Sequence, residues 1–239
     1  MYDFGVLPIP AYTPLPSVAA VLRERGFALV AARDLAVDAV ELAALAPSWD
    51  DLPADPHLRD SGRYRFRRHA SFVVDHGLHD VAPRAHFQPV EYNALHGGIE
   101  RWFAPMTPAV TAAPAFRSLV AGLGELVAPT TTLYVEAHQF RIDTASGIGR
   151  PTPEGAHRDG VDFVALMLVQ RHHVKGGETR VFEADGPGGV RFTMAQPFSV
   201  LLLDDARVIH ETTPIQPDGP DGVRDTLVIT YRRNGFLNR

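Results

Sequence analysis

The sequence predicts an α+β fold in which a helix-rich N-terminal half supports a C-terminal antiparallel β sandwich or barrel. The first observation is a change of texture at about Thr131. From there TLYVEAHQFRI, DFVALMLVQ, GETRVFE, VRFTMA, FSVLLLDD, RVIHETT and DTLVITYRR are short β-rich runs separated by Gly, Pro and Asp turns. The second is the helical spacing of apolar residues before that point. The third is size: 239 residues, with no repeat or linker that divides them, suit a single domain. The expected division is helix-rich support over about 1–130 and a β core over about 131–233, within one domain spanning 1–239.

Taken in order, Ser17 can cap the segment VAAVLRERG, with Gly26 as its C-terminal stop. FALV (27–30) is strand-like, and a second helix is expected over Val37 to Ala46, ending before Pro47. After the loop WDDLPADPHLRDSG, the run RYRFRRHASFVV alternates aromatics and arginines as a strand does. Helices are expected over Tyr92 to Phe103 and Ala115 to Leu126, with Ile99, Trp102 and Phe103 in the core. GGET (176–179) is expected to be a hairpin turn that uses the positive φ open to glycine. His172 and His173 are adjacent, face opposite ways on a strand, and are expected at the surface or in a loop.

Composition removes several classes of function. The formal charge of -5 offers no general attraction for nucleic acid or anionic membranes, so neither is an expected partner. The absence of cysteine excludes disulfides, thiolate metal sites and cysteine nucleophiles. Lys175 is the sole lysine, which leaves little room for Schiff-base chemistry. MYDFGVLPIP lacks a basic stretch followed by an apolar segment, so no secretion signal is expected; the apolar runs 163–169 and 200–203 fall far short of a membrane span, and a cytoplasmic location is expected. Ser71, Ser146 and Ser199 lack a nucleophile-elbow context, and no carboxylate pair has a glycosidase-like spacing.

A metal must then use His, Asp, Glu or water, and AHRDG places His157 and Asp159 two apart. At strand spacing, residues i and i+2 share a face and can meet one ion. RVIHETTP supplies a third ligand candidate, His210, with enough intervening chain for several strands to return it. Two imidazoles and one carboxylate leave three metal positions open, an arrangement associated with non-haem Fe(II) oxygenases. Further on, RDT places Arg224 and Thr226 at strand spacing, a guanidinium fork and a hydroxyl suited to gripping a carboxylate. The competing reading of Arg224 is a turn arginine paired with Asp221 or Asp225.

H-x-D, a distal His within D-x-R-V-x-H-x-x-x-P, and R-x-T shortly after it resemble the signature of the 2-oxoglutarate/Fe(II) dioxygenases. GRYRFRRHASF, YNALHGGIERWF, AHRDGVDFV and GGETRVF are similar to the bacterial branch of free amino-acid hydroxylases of the isoleucine 4-hydroxylase type, over about Asp60 to Arg233. The resemblance implies a double-stranded β-helix (a jelly roll, cupin-like) with iron near one open end. It implies His157, Asp159 and His210 as ligands, with Arg224 on the distal carboxylate of 2-oxoglutarate and Thr226 assisting. Fe(II), 2-oxoglutarate and O2 would serve together. The reaction would be hydroxylation of a small molecule, most simply an aliphatic side chain of a free L-amino acid. Related halogenases lack the metal-binding carboxylate, so Asp159 favours hydroxylation.

The substrate residues are less defined. In the strand around His138, one face holds Tyr134, Glu136, His138 and Phe140, and the other holds Val135, Ala137, Gln139 and Arg141. Gln139 and Arg141 are the expected contacts to substrate or co-substrate, against a solvent-facing alternative. Arg63, Arg65, Arg67 and His69 share one face of RYRFRRH. Those arginines are candidates for a substrate carboxylate, against a solvated or internally paired face; a nucleic-acid patch is disfavoured by the acidic total and the lack of a nucleic-acid motif. Two other functions compete: an oxygenase of a protein side chain or larger metabolite, and a jelly-roll metal-binding module without catalysis.

Overall fold

A computed structural model describes residues 9–58, 63–93, 95 and 97–239. Residues 1–8, which include most of MYDFGVLPIP, lie outside the described residues, as do 59–62 of the sequence WDDLPADPHLRDSG and residues 94 and 96. The fold is a mostly antiparallel β structure with few helices, a jelly roll.

Its larger sheet has seven strands, every neighbouring pair antiparallel. In spatial order they are β1 (Phe27–Val30), β9 (Val200–Asp204), β5 (Phe163–His172), β12 (Val223–Arg232), β4 (Leu133–Asp143), β2 (Arg65–Val74) and β3 (Leu78–Asp80). Two smaller sheets complete the sandwich. One runs β10 (Val208–Thr212), β7 (Thr179–Glu183), β8 (Gly189–Phe192), and the other pairs β11 (Ile215–Pro217) with β6 (Val174–Gly176). Thus β1, β2 and β3, from the half read as helical support, are structural members of the main sheet. The strand-like reading of FALV and RYRFRRHASFVV agrees with this placement, whereas the division near residue 130 does not separate support from sheet.

Period-two alternation sorts the side chains of β5 to two cores. Phe163, Ala165, Met167 and Val169 point to the back of the main sheet, and Val164, Leu166 and Leu168 point into the sandwich. The back is covered by α4 (Pro114–Val127), whose Phe116, Leu119, Val120 and Leu123 join Phe72, Leu133, Val135, Leu227, Ile229 and Tyr231 in one buried cluster. At the tightest crossing is Gly124, where an added Cβ would lie 3.2 Å from the Tyr231 ring and 3.4 Å from Leu133. The interior of the sandwich packs Leu29, Leu201 and Leu203 against Val181, Phe192 and Val208.

Three shorter helices precede or flank α4: α1 (Val18–Arg25), α2 (Ala39–Ala43) and α3 (Pro108–Thr111). α1 ends on Gly26 at φ 76°, the left-handed stop expected of it. α2 is shorter than the 37–46 span, beginning where the Asp38 carboxylate accepts from the amides of Val40 and Glu41, each at 2.9 Å.

The helix expected over 92–103 is not formed among the described residues of that span. Turns occupy it instead, Gly98 is left-handed at φ 75°, and Arg101 exchanges backbone hydrogen bonds with His86 at 2.9 Å each. Pairing with His86 and the paired glycines override the apolar spacing. Ile99 and Trp102 are accordingly exposed, not core. In GGET, Gly176 and Gly177 do take positive φ, but the turn passes from one small sheet to the other and forms no hairpin. His172 and His173 are exposed.

Candidate active site

The open end of the sandwich encloses a cavity between the inward face of β2, β4 and β12 and the segment carrying His157 and β10. Its walls include Phe140, Ile142, Leu166 and Val228 as apolar surface, with His157, Asp159, His210, Arg224 and Thr226 among the polar groups.

His157 and His210 form an isolated antiparallel bridge, exchanging N–H···O bonds of 3.0 and 2.9 Å, which puts their side chains on one face. Their rings lie 4.6 Å apart between centroids. Asp159 follows at the same face, its carboxylate 3.9 Å from His157 Nε2 and 3.7 Å from His210 Nε2. One ligand atom from each of the three lies within 4.8 Å of the others. The segment 157–159 is not a full strand. Its path is held by Asp205, fully buried just beyond β9, whose carboxylate accepts from the amides of Asp159 (2.9 Å), Gly160 (2.8 Å) and Val161 (3.1 Å).

The hydrogen bond to His157 presents its Nε2 for ligation, while the carboxylates around it hold a proton that a metal would displace. A carbonyl can only accept, so the 2.9 Å contact from His157 Nδ1 to Gly155 O places a proton on Nδ1 and leaves Nε2 facing the cluster. Burial, then the neighbouring charge of His157, pushes His210 down to about 3, so it is neutral near pH 7. For His157, burial opposes the charge, but the carboxylates of Asp159 and Glu154 outweigh it and raise the value. Burial chiefly, then Asp159, raises Asp205 despite its amide donors. A cation in the cluster would remove the electrostatic conflict among these groups.

Arg224 is 2% exposed, and both its Nε and Nη2 are buried without a hydrogen-bond partner. Burial and then the charge of Arg171 pull it to about 10, so it is still cationic at neutral pH. It does not pair with Asp225, which instead takes Arg141 at 2.8 and 2.7 Å and Gln170 at 2.6 Å. An orphaned guanidinium beside a buried hydroxyl, Thr226, fits a carboxylate ligand entering from the cavity. The donor set and this guanidinium thus fit Fe(II) and 2-oxoglutarate.

Two expectations are corrected here. Gln139 and Arg141 face away from the cavity: Gln139 donates to Ser48 Oγ at 2.8 Å, and Arg141 pairs with Asp225 and, at 2.8 Å, with Asp50. The pleat assigns the cavity instead to the alternate face, His138, Phe140 and Ile142. Arg63 precedes β2 and is exposed, whereas Arg65 and Arg67 are buried and line the cavity. The wholly solvated alternative for that face is thereby removed, since Asp55 pairs with Arg65 at 2.8 Å in the interior.

Four other polar residues at the cavity or beside it were not singled out from sequence. Asp205 was visible only as the first letter of D-x-R-V-x-H. Gln88 donates to Asp159 Oδ1 at 3.0 Å while its Oε1 accepts from Arg101 at 2.7 Å and Asn93 at 3.1 Å. Because arginine can only donate, that contact fixes the orientation of the Gln88 amide. Arg101 and Glu154 also line the cavity. Nothing local in their sequence marks them, since the irregular chain around 86–101 brings Gln88 and Arg101 together.

Beyond the site, a buried knot of His69, His86, His138 and Glu136 lies alongside the cavity. Glu136 accepts from Arg84 at 3.0 Å and contacts His86 at 2.9 Å and His69 at 3.3 Å. Burial would raise Glu136, but His86 and His69 overcome it and hold the carboxyl far below its ordinary 4.5.

Residues 46–230 match the family model described as 2OG-Fe dioxygenase, and the chain belongs to that family. Its members work with Fe(II), 2-oxoglutarate and O2, and the His157, Asp159, His210 cluster provides a two-histidine, one-carboxylate metal site of the kind they require. The chain is similar to a BsmA homologue from Methylobium petroleophilum PM1, with 47% identity, TM-score 0.90, and coverage of 96% of this chain and 97% of that one. It shares its fold with IDO from Bacillus thuringiensis (15% identity, TM-score 0.76, covering 97% and 100%). A 2OG-Fe(II) oxygenase-family oxidoreductase from Burkholderia pseudomallei also shares it (18%, 0.60, 96% and 95%). No curated protein sequence matches the chain. No helix among the described residues is long and apolar enough to cross a membrane.

Proposed function

We propose that this dioxygenase hydroxylates a C–H bond of a small molecule, most simply an aliphatic side chain of a free L-amino acid. In this reading His157, Asp159 and His210 hold the iron, and Arg224 with Thr226 holds the distal carboxylate of 2-oxoglutarate. The observation that carries it is the buried Arg224 guanidinium, with two unpartnered nitrogens, in the same cavity as the three-ligand cluster.

Bound iron would use O2 to oxidise both 2-oxoglutarate and a substrate C–H bond, one oxygen atom ending in succinate, released with CO2, and the other in the new hydroxyl. The chain supplies the geometry. The His157 to Gly155 bond sets the imidazole tautomer, Gln88 orients the Asp159 carboxylate, and Leu166, Val228 and Phe140 give an apolar wall against which an aliphatic group can lie. Asp159 supports hydroxylation over halogenation, since a carboxylate at that position occupies the place halide would need. The fold kinship with the Bacillus thuringiensis protein adds no substrate information by itself.

The test is a screen of the twenty amino acids for succinate release, with mass detection of one added oxygen. His157→Ala, Asp159→Ala and His210→Ala should each abolish coupled turnover while leaving the circular dichroism spectrum unchanged. Full turnover in any of them removes that residue from the ligand set. Arg224→Ala should chiefly raise the 2-oxoglutarate concentration needed, by about 10- to 100-fold for loss of a charge-assisted pair.

A further inference from the structure

We propose that Arg67 and Arg101 form the site for a substrate carboxylate, separate from the Arg224 site; this deepens the amino-acid reading and rests on it. Both guanidinium groups are buried, both line the cavity, and the Nε of each is without a hydrogen-bond partner. With Arg65 they place three cationic side chains in one wall. Asp55 is the acid that meets them, at 2.8 Å from Arg65 and 3.6 Å from Arg67. Arg101 has no carboxylate within 4.0 Å among the described residues. The wall therefore sets three buried cations against one carboxylate in direct contact, with Glu154 reaching Arg101 only at longer range, an excess that is costly unless an anion offsets it.

The two groups are also held in place. Arg67 lies 3.5 Å over the centroid of the Phe103 ring and 4.4 Å from that of Phe140, and donates at 2.7 Å to His138 Nδ1. Because Arg67 is a donor only, His138 accepts on Nδ1, in keeping with its neutral, buried state. Arg101 is tied through Gln88 to Asp159, so the clamp has a fixed orientation relative to the metal cluster. Arg67 stands level with Phe140 of β4 and Thr226 of β12, two strands across the sheet. At strand spacing that is about 10 Å between backbones, enough for a co-substrate and a substrate carboxylate side by side.

The probe is 2-methylbutanoate against its neutral amide, 2-methylbutanamide, added at constant ionic strength to the full chain without iron or 2-oxoglutarate. At ten times its Kd the carboxylate should raise Tm by about 3 °C and the amide should not. That rise should persist in Arg224→Ala, vanish in Arg101→Gln, and survive in part in Arg101→Lys, which keeps the charge if the glutamine variant fails to fold. An equal response to acid and amide, or a rise lost in Arg224→Ala and retained in Arg101→Gln or in full by Arg67→Gln, overturns the clamp. Carboxylate-specific stabilisation without turnover of any amino acid would sink the amino-acid reading alone. Turnover of an amino acid with KM no higher in Arg101→Gln than in the parent would sink the clamp alone.

Discussion

The carboxylate of Asp205 lies behind the metal cluster and satisfies three consecutive amides, Asp159 to Val161. Without it those donors would be buried and unmet, so Asp205→Ala should lower stability by about 3 kcal/mol in urea denaturation. A loss under about 1 kcal/mol would mean that other acceptors replace it. Gln88 acts on the cavity side of the same residue, through one hydrogen bond of 3.0 Å to Asp159. Gln88→Leu should weaken Co(II) binding, read by titration calorimetry, by about tenfold while the fold persists. Unchanged affinity would show that the amide does nothing for the ligand. At this scale the gathering of His157, Asp159, His210, Arg224 and Thr226 in one cavity was legible because each is a chemical type at a fixed local spacing. Arg101 and Gln88 were not, because Gln88 reaches Asp159, and Arg101 reaches Gln88, only through the tertiary fold.

Among elements, α4 and β12 depend most on one another. Tyr231 of β12 is fully buried under α4 and donates its hydroxyl to Val120 O at 2.9 Å, with Gly124 one turn further along. Gly124→Val should destabilise the protein by about 2 kcal/mol, because its branches would meet Tyr231, Leu133 and Val74. A neutral effect in thermal denaturation would show that the helix can lift without cost. α4 was legible from its apolar spacing almost to the residue. The faces of β4 were not, since both carry polar side chains, and only the pairing with α4 decides that Val135 and Ala137 point back and His138 forward. The helix expected over 92–103 failed for a related reason: a tertiary bridge to His86 prevailed over local periodicity.

For the molecule as a whole, the buried ionic groups set the acid limit of stability. Glu136 and Asp55 are both held below their ordinary values of 4.5 and 3.8. For each, burial opposes that and is overcome: by His86 and His69 for Glu136, by Arg67 and Arg65 for Asp55. A depressed folded value means the unfolded chain takes up protons first on acidification. The stabilisation is therefore complete above the ordinary values and declines as pH falls below them. Glu136→Gln should be less stable than the parent at pH 7, and its stability should fall less steeply below about pH 4.5 in urea titrations. Parallel curves would assign the acid response to other groups.

The position of β12 has a consequence for how the protein is made. This strand is near the end of the sequence yet lies between β4 and β5 at the middle of the main sheet, and it carries Arg224. A chain leaving the ribosome has already emitted both imidazoles and the carboxylate before the strand that separates β4 from β5 exists. Without β12 the edges of β4 and β5 that it joins would lack their hydrogen-bond partners, and the co-substrate grip proposed for Arg224 would be missing. On the proposed reading of Arg224, the same strand that closes the sheet also completes the grip on 2-oxoglutarate.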